Sequence, residues 1–286
     1  MYYLLILSIA AASINSIVLN KAQASGKDEI FKFNFLCTAV WCVVLFAANG
    51  FTARINSQVL LWGIIYGITQ TLFILFKTAA MSTGSVAVTT LIGNSSLLIS
   101  VAVSLIIWRE KIGLIDIVGL IMLLSGICLC TYKKTDEGYS PKWKYYAALF
   151  LVFAASVGIT FKAFGKSGNL DYCGDMMFVS SVVMLIAYFS ISMLTGGIKV
   201  DKPACGNKHK FVRFALLSGV LSCIYNRLNV FLSGSLDAII FFPSFNGGVI
   251  FLSSLLSVCM CGEKLAPRQA LGLILGIIAI CIIGIL

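Results

Sequence analysis

Ten stretches of this 286-residue chain are long and apolar enough to be helices crossing a lipid bilayer: 2–20, 31–49, 58–76, 84–108, 113–131, 145–165, 174–195, 211–232, 235–259 and 266–285. Each needs roughly 20 apolar residues, because a helix rising about 1.5 Å per residue must cover about 30 Å of hydrocarbon. The runs are continuous, whereas barrel strands would alternate apolar and polar residues with a period of two, so helices are expected. With 59% hydrophobic and 11% charged residues, against the roughly 25% charge of soluble proteins, the composition excludes an ordinary soluble enzyme and a disordered chain. The first run lacks a basic leader and is followed by nine more, so it reads as a retained helix rather than a signal peptide. Many of the ten cysteines sit inside apolar runs (Cys37, Cys42, Cys128, Cys130, Cys223 and Cys281) and behave as small hydrophobes, not as a disulfide framework. The net charge of +10 comes from basic residues scattered between apolar runs. No nucleic-acid motif accompanies them, and the anionic face of a membrane is their expected partner.

The two halves of the chain look alike. WREKIGLIDIVGLIMLLSG at 108–126 matches CGEKLAPRQALGLILGIIA at 261–279, setting Glu110 against Glu263, Lys111 against Lys264 and Gly119 against Gly272 at an offset of 153. Upstream, KTAAMSTGSVA at 77–87 matches RLNVFLSGSLD at 227–237, so Lys77 faces Arg227, and Lys21 near the start of one half faces Lys162 in the other. An odd number of crossings per repeat makes the second half enter the membrane from the opposite side. The expected fold is therefore an all-α polytopic membrane protein with ten transmembrane helices in two inverted five-helix repeats. The first repeat covers 1–134, a polar linker 135–144, and the second repeat 145–286.

The helix order, the paired repeats and the segment GEKLAPRQALGLILGIIAICIIG, with its first-half cognate WREKIGLIDIVGLIMLLSG, resemble EamA-type members of the drug/metabolite transporter superfamily. That resemblance covers essentially the whole chain. It implies a central cavity lined by helices of both repeats and a secondary transporter, without naming a substrate. The first half departs from the family pattern in having Thr90 where Pro243 stands in the second, which removes the expectation of symmetric kinks.

Basic residues set an expected orientation. With the amino terminus placed inside, fifteen Lys and Arg would lie outside and six inside, and the positive-inside rule prefers the reverse. Both termini are thus expected outside. The short connections suit a prokaryotic cytoplasmic (inner) membrane.

Polar residues within apolar segments are the candidates for a substrate site, because buried amides and charges need a partner from another helix or a ligand. These are Asn15, Lys21, Gln70, Lys77, Asn94, Lys162, Tyr225, Asn226, Arg227 and Asn246. The four cations form two pseudo-symmetric pairs, readable either as a lining for carboxylate or phosphate or as side chains snorkelling to headgroups. Asp237 is read as a proton-coupling acid, a partner for Arg227 or a helix cap. Asp171 and Asp175 read as caps at the start of the seventh span. Pro243, followed by Gly247 and Gly248, is read as a helix break or an ordinary kink. Phe73, Phe161, Phe241, Phe242 and Phe245 offer stacking surfaces, and Trp41, Trp108 and Trp143 near span ends fit interfacial anchors.

No catalytic constellation, phosphate-binding loop or metal-ligand spacing occurs, and His209 is the single histidine, so no enzyme, metal site or cofactor is expected. The expected activity is secondary transport of a small polar metabolite, amino-acid-like or an organic anion, by alternating access. Export of drug-like amphipathic compounds is the nearest alternative, and a receptor or channel the alternative of a different class. The sequence leaves open coupling to H⁺ or Na⁺. Its partners are the bilayer and a small solute, with a monomer or weak dimer expected.

Overall fold

The computed structural model describes all residues except 24–29, 132–139, 195–207, 262–265 and 286. The described residues form eleven α-helices: α1 (Tyr2–Gln23), α2 (Ile30–Ala48), α3 (Ser57–Thr83), α4 (Val86–Asn94), α5 (Ser96–Ile107), α6 (Leu114–Thr131), α7 (Pro141–Lys166), α8 (Cys173–Leu194), α9 (Lys208–Ser235), α10 (Ala238–Cys261) and α11 (Pro267–Ile285). Eight segments are long and apolar enough to cross a membrane, α4 and α5 counting together as 88–107, and parts of α2 and α11 are shorter apolar helices. The protein is an all-α polytopic membrane protein, and large apolar side chains such as Ile6, Val43, Ile106, Leu114 and Ile121 face outward where lipid would lie.

Local chemistry sets several helix ends. Asn56 caps α3, its side chain accepting from the Val59 N–H at 2.7 Å, and Ser85 caps α4 by accepting from Val88. Pro141 opens α7 at a position where its missing N–H costs nothing. Helix α7 therefore begins inside the stretch 135–144 assigned to a linker.

The single span expected over 84–108 is divided at Ser95. There the Ser95 N–H is shared between the carbonyls of Leu91 and Ile92, and the Ser95 hydroxyl donates back to Leu91 at 3.0 Å. Hydroxyl back-bonding of this kind competes with the helical ladder. Helix α10, by contrast, runs from Ala238 to Cys261 with Pro243 inside it. Of the two readings of Pro243, the helix break is not found, and the interruption falls in the half that lacks the proline.

Contacts between the halves come in exchanged pairs. Helix α1 packs on α9 and α10, and α3 packs on α7 and α8, while α2 packs on both α8 and α9 and α5 on α7. Under exchange of the repeats, α3 with α7 becomes α9 with α1, and α5 with α7 becomes α10 with α1. Helices α6 and α11 pack on each other along a seam of small residues. A Cβ on Gly126 would sit 2.8 Å from the Gly272 carbonyl, and one on Gly119 would meet Ile283 and, at 3.5 Å, the Ala279 carbonyl. Residues 272 and 279 are the counterparts of 119 and 126 at the offset of 153, so this seam is self-complementary in the register that the sequence match predicts. Close backbone approach is how helices gain packing where lipid offers no hydrophobic difference.

Candidate functional site

Between the halves lies a cavity in two adjoining chambers, one of about 520 Å³ and one of about 260 Å³. Gln70, Phe73, Lys77, Tyr225, Asn226 and Phe245 line both, so α3, α9 and α10 form the shared wall. The smaller chamber adds Asn94, Ser96, Ser100, Phe150, Phe241 and Asn246, and the larger adds Asn15, Cys37, Trp41, Tyr188, Ser218 and Ser222. The larger chamber reaches Leu19, Asn34, Ser82 and Val86, which lie near the end of the bundle where α1 and α3 finish and α2 and α4 begin. Helices α6 and α11 supply no lining residue to either chamber.

Seven of the ten candidate residues therefore meet around one space: Asn15, Gln70, Lys77, Asn94, Tyr225, Asn226 and Asn246. Three of their amides are partly engaged. Asn15 accepts from Ser218 at 2.7 Å and donates to Ser222 at 3.4 Å, tying α1 to α9. Asn226 donates to the Ser222 carbonyl at 2.9 Å and accepts from Tyr66 at 3.4 Å, and Asn246 donates to the Phe242 carbonyl of its own helix. Lys77 makes no ion pair among the described residues, and its ammonium stands 5.9 Å from the centre of the Phe73 ring. Buried side-chain atoms without a hydrogen-bond partner include Trp41 Nε1, Gln70 Oε1, Asn94 Nδ2 and Tyr188 Oη. All four belong to residues that line the cavity. Trp41, expected as an interfacial anchor, is 3% exposed and part of that lining.

The remaining candidates lie elsewhere. Lys162, fully buried on α7, forms an ion pair with Glu110 at 2.5 Å and donates to the Leu236 carbonyl at 2.6 Å. Glu110 also accepts from the Ala238 N–H at 2.7 Å and so caps α10. The pair fastens the α5–α6 connection, the end of α7 and the α9–α10 junction together, and Lys162 does not line the cavity. Arg227 is exposed and lies beside Gly174 at the start of α8, where a Cβ on that glycine would be 3.2 Å from the guanidinium carbon. Asp237 is exposed, and its backbone carbonyl accepts from Ile240 and Phe241 at the start of α10. Its pairing with Arg227 is not found among the described residues. The Lys21 side chain, Glu263 and Lys264 lie outside the described residues.

Asp175, read from the sequence as a cap, bonds to the α2–α3 connection. It pairs with Arg54 at 3.3 Å, accepts the Arg54 backbone N–H at 3.0 Å, and receives the Asn49 amide at 3.5 Å. Both ion pairs thus lie at the bundle end opposite the one that the larger chamber reaches. Glu110 carried a signal in the sequence, since Glu-Lys recurs in both halves, although that recurrence marked the repeat and not an ion pair. Among the described residues no group of three or more His, Cys, Asp or Glu is placed to hold a metal ion.

Comparison with known proteins completes the description. Residues 1–132 match the EamA-like transporter family. No curated protein matches the chain. Among 29 similar chains of solved structure, one described only as "Crystal structure of protein" superposes with a TM-score of 0.74 at 14% identity, over 99% of this chain and 96% of that one. At that identity the likeness establishes a shared fold alone. Over residues 1–132, then, the chain is similar to the EamA-like transporter family.

Proposed function

We propose that the protein is a secondary transporter that carries a small polar metabolite, amino-acid-like or an organic anion, through the central cavity by alternating access. In this reading the helices make ten crossings, α4 and α5 together forming one, in two inverted five-helix repeats. The observation that carries it is the coincidence of unspent polar capacity with the cavity: Lys77 and the four unpartnered buried polar atoms all belong to its walls. Polar groups removed from water without partners cost free energy, of order 1–3 kcal/mol each, and a ligand in the cavity removes that cost. Sites built between repeats near the midplane are the recurring plan of such carriers.

The orientation follows from the basic residues, which crowd the end that the larger chamber reaches. Placing that end in the cytoplasm puts both termini outside and makes this conformation open inward, with Glu110–Lys162 and Arg54–Asp175 closing the outer end. Rocking of the halves would break these contacts and open the other side. Drug-like cations suit the cavity poorly, because no Asp or Glu is among its described lining residues.

Counterflow in proteoliposomes tests this reading. Purified protein loaded with pooled amino acids, nucleosides, organic anions and phosphorylated metabolites is expected to show saturable, trans-stimulated uptake of at least one labelled solute, absent from protein-free liposomes. Binding without trans-stimulated flux across the panel would point to a receptor, and unsaturable flux to a channel.

A further inference from the structure

We propose that the cavity selects a monoanionic organic acid with an aromatic body over the zwitterion or amine of the same skeleton; this rests on the central site proposed above and states what fills it. Among the described residues lining either chamber Lys77 is the one charged side chain, and it lines both. Its described neighbour is a ring face, Phe73, at 5.9 Å. A cation held among apolar walls calls for an anion, since its own hydration is lost there.

The neutral polar groups point the same way. Among the buried unpartnered atoms of lining residues, Trp41 Nε1 is a donor only, Tyr188 Oη can donate and Asn94 Nδ2 is a donor, whereas Gln70 Oε1 is an acceptor. Together with Lys77 this is a donor-rich lining, complementary to a carboxylate or sulfonate. An ammonium group would find no carboxylate among the described lining residues. The buried acids Glu110 and Asp175 are committed to Lys162 and Arg54 at the far end of the bundle. One cation balances one negative charge, so a dianion such as a phosphate monoester would carry an uncompensated second charge into the site.

The rest of the lining describes the body of the ligand. Phe73 and Phe150 stand 5.3 Å apart, and Phe241 stacks on Phe245 at 5.9 Å. These rings form walls suited to a flat apolar group that stacks or meets them edge-on. Apolar walls that include aromatic rings, with converging polar groups between them, are the common design of a small-molecule site, and the cavity lies within the usual size range.

The test uses one skeleton in three charge states: 3-phenylpropionate, phenylalanine and 2-phenylethylamine, with propionate and phenyl phosphate as controls for body and charge. Each is assayed with the full-length protein for ligand-induced thermal stabilisation in detergent and for counterflow in proteoliposomes. The expected result is that 3-phenylpropionate acts at concentrations at least tenfold below the other four. Lys77→Gln is expected to lose that response by more than tenfold, Lys77→Arg to keep most of it, and Tyr188→Phe to weaken it several-fold for the acid. If Lys77→Gln fails to elute as a single species, Lys77→Arg and Tyr188→Phe carry the comparison. Preference for phenylalanine or the amine, an unaltered response in Lys77→Gln, or no response to any of the five overturns the proposal. Stabilisation by the acid without counterflow leaves the ligand class standing and removes the transport reading. Counterflow of phenylalanine with the acid inert does the reverse.

Discussion

Lys162→Met is expected to lower the unfolding temperature of the purified protein sharply and to cut its folded yield. The substitution removes a cation that is fully buried and leaves Glu110, with a side chain 7% exposed, charged and unpaired. Breaking a buried pair from one side costs about 3–5 kcal/mol, a large share of the stability of any domain. Removing both charges in Lys162→Met with Glu110→Leu is expected to recover most of the loss, because apolar replacement of a buried pair is often close to neutral. Recovery stops short of the parent by about 1 kcal/mol, since Glu110 also caps α10 through the Ala238 N–H. Thermal unfolding in detergent measures all three proteins. A single variant that unfolds at the parent temperature would show that the pair holds nothing together.

Gly126→Leu is expected to separate α6 from α11. Any Cβ at 126 meets the Gly272 carbonyl at 2.8 Å and the Gly276 backbone nitrogen at 3.0 Å, and backbone atoms cannot step aside as a flexible side chain would. Overpacking costs roughly 1–3 kcal/mol where neighbours can shift, and more is expected where two backbones must part. Ser125→Leu is the control: Ser125 is exposed and its hydroxyl bonds only to Ile121 of its own helix. A monodisperse Gly126→Leu variant as stable as Ser125→Leu would contradict the tight seam.

The legible and illegible parts of this protein differ for physical reasons. The repeat register could be read because tight packing fixes small residues at set positions. Gly119 and Gly126 match Gly272 and Ala279 in sequence and meet them in space. The cavity amides were legible too, because Gln70, Asn94 and Asn226 are costly within apolar helices unless something binds them. The four cations were not distinguishable. Lys77 and Lys162 have similar local sequences near helix ends, and the difference between an open cation and a paired one comes from Glu110, carried in by a connection 52 residues before Lys162. The interruption at Ser95 was hidden for another reason. Asn94, Ser95 and Ser96 form a short polar step of a kind many membrane helices carry without a break, whereas Pro243 draws attention and yet sits inside a continuous helix. Arg227 stands beside Gly174 at the start of α8 and not among the described lining residues, and position along the chain does not say which face of α9 a side chain occupies.

Side-specific labelling of a cavity cysteine tests the central claim most directly. In a variant lacking the ten native cysteines, Ser96→Cys places one thiol in the smaller chamber, and a membrane-impermeant maleimide is applied from each face of oriented vesicles. Alternating access predicts labelling from both faces, with the rate on one side rising as the other falls when Asp175→Asn loosens the outer closure. Labelling from one face alone, unchanged by Asp175→Asn, would contradict alternating access through this cavity.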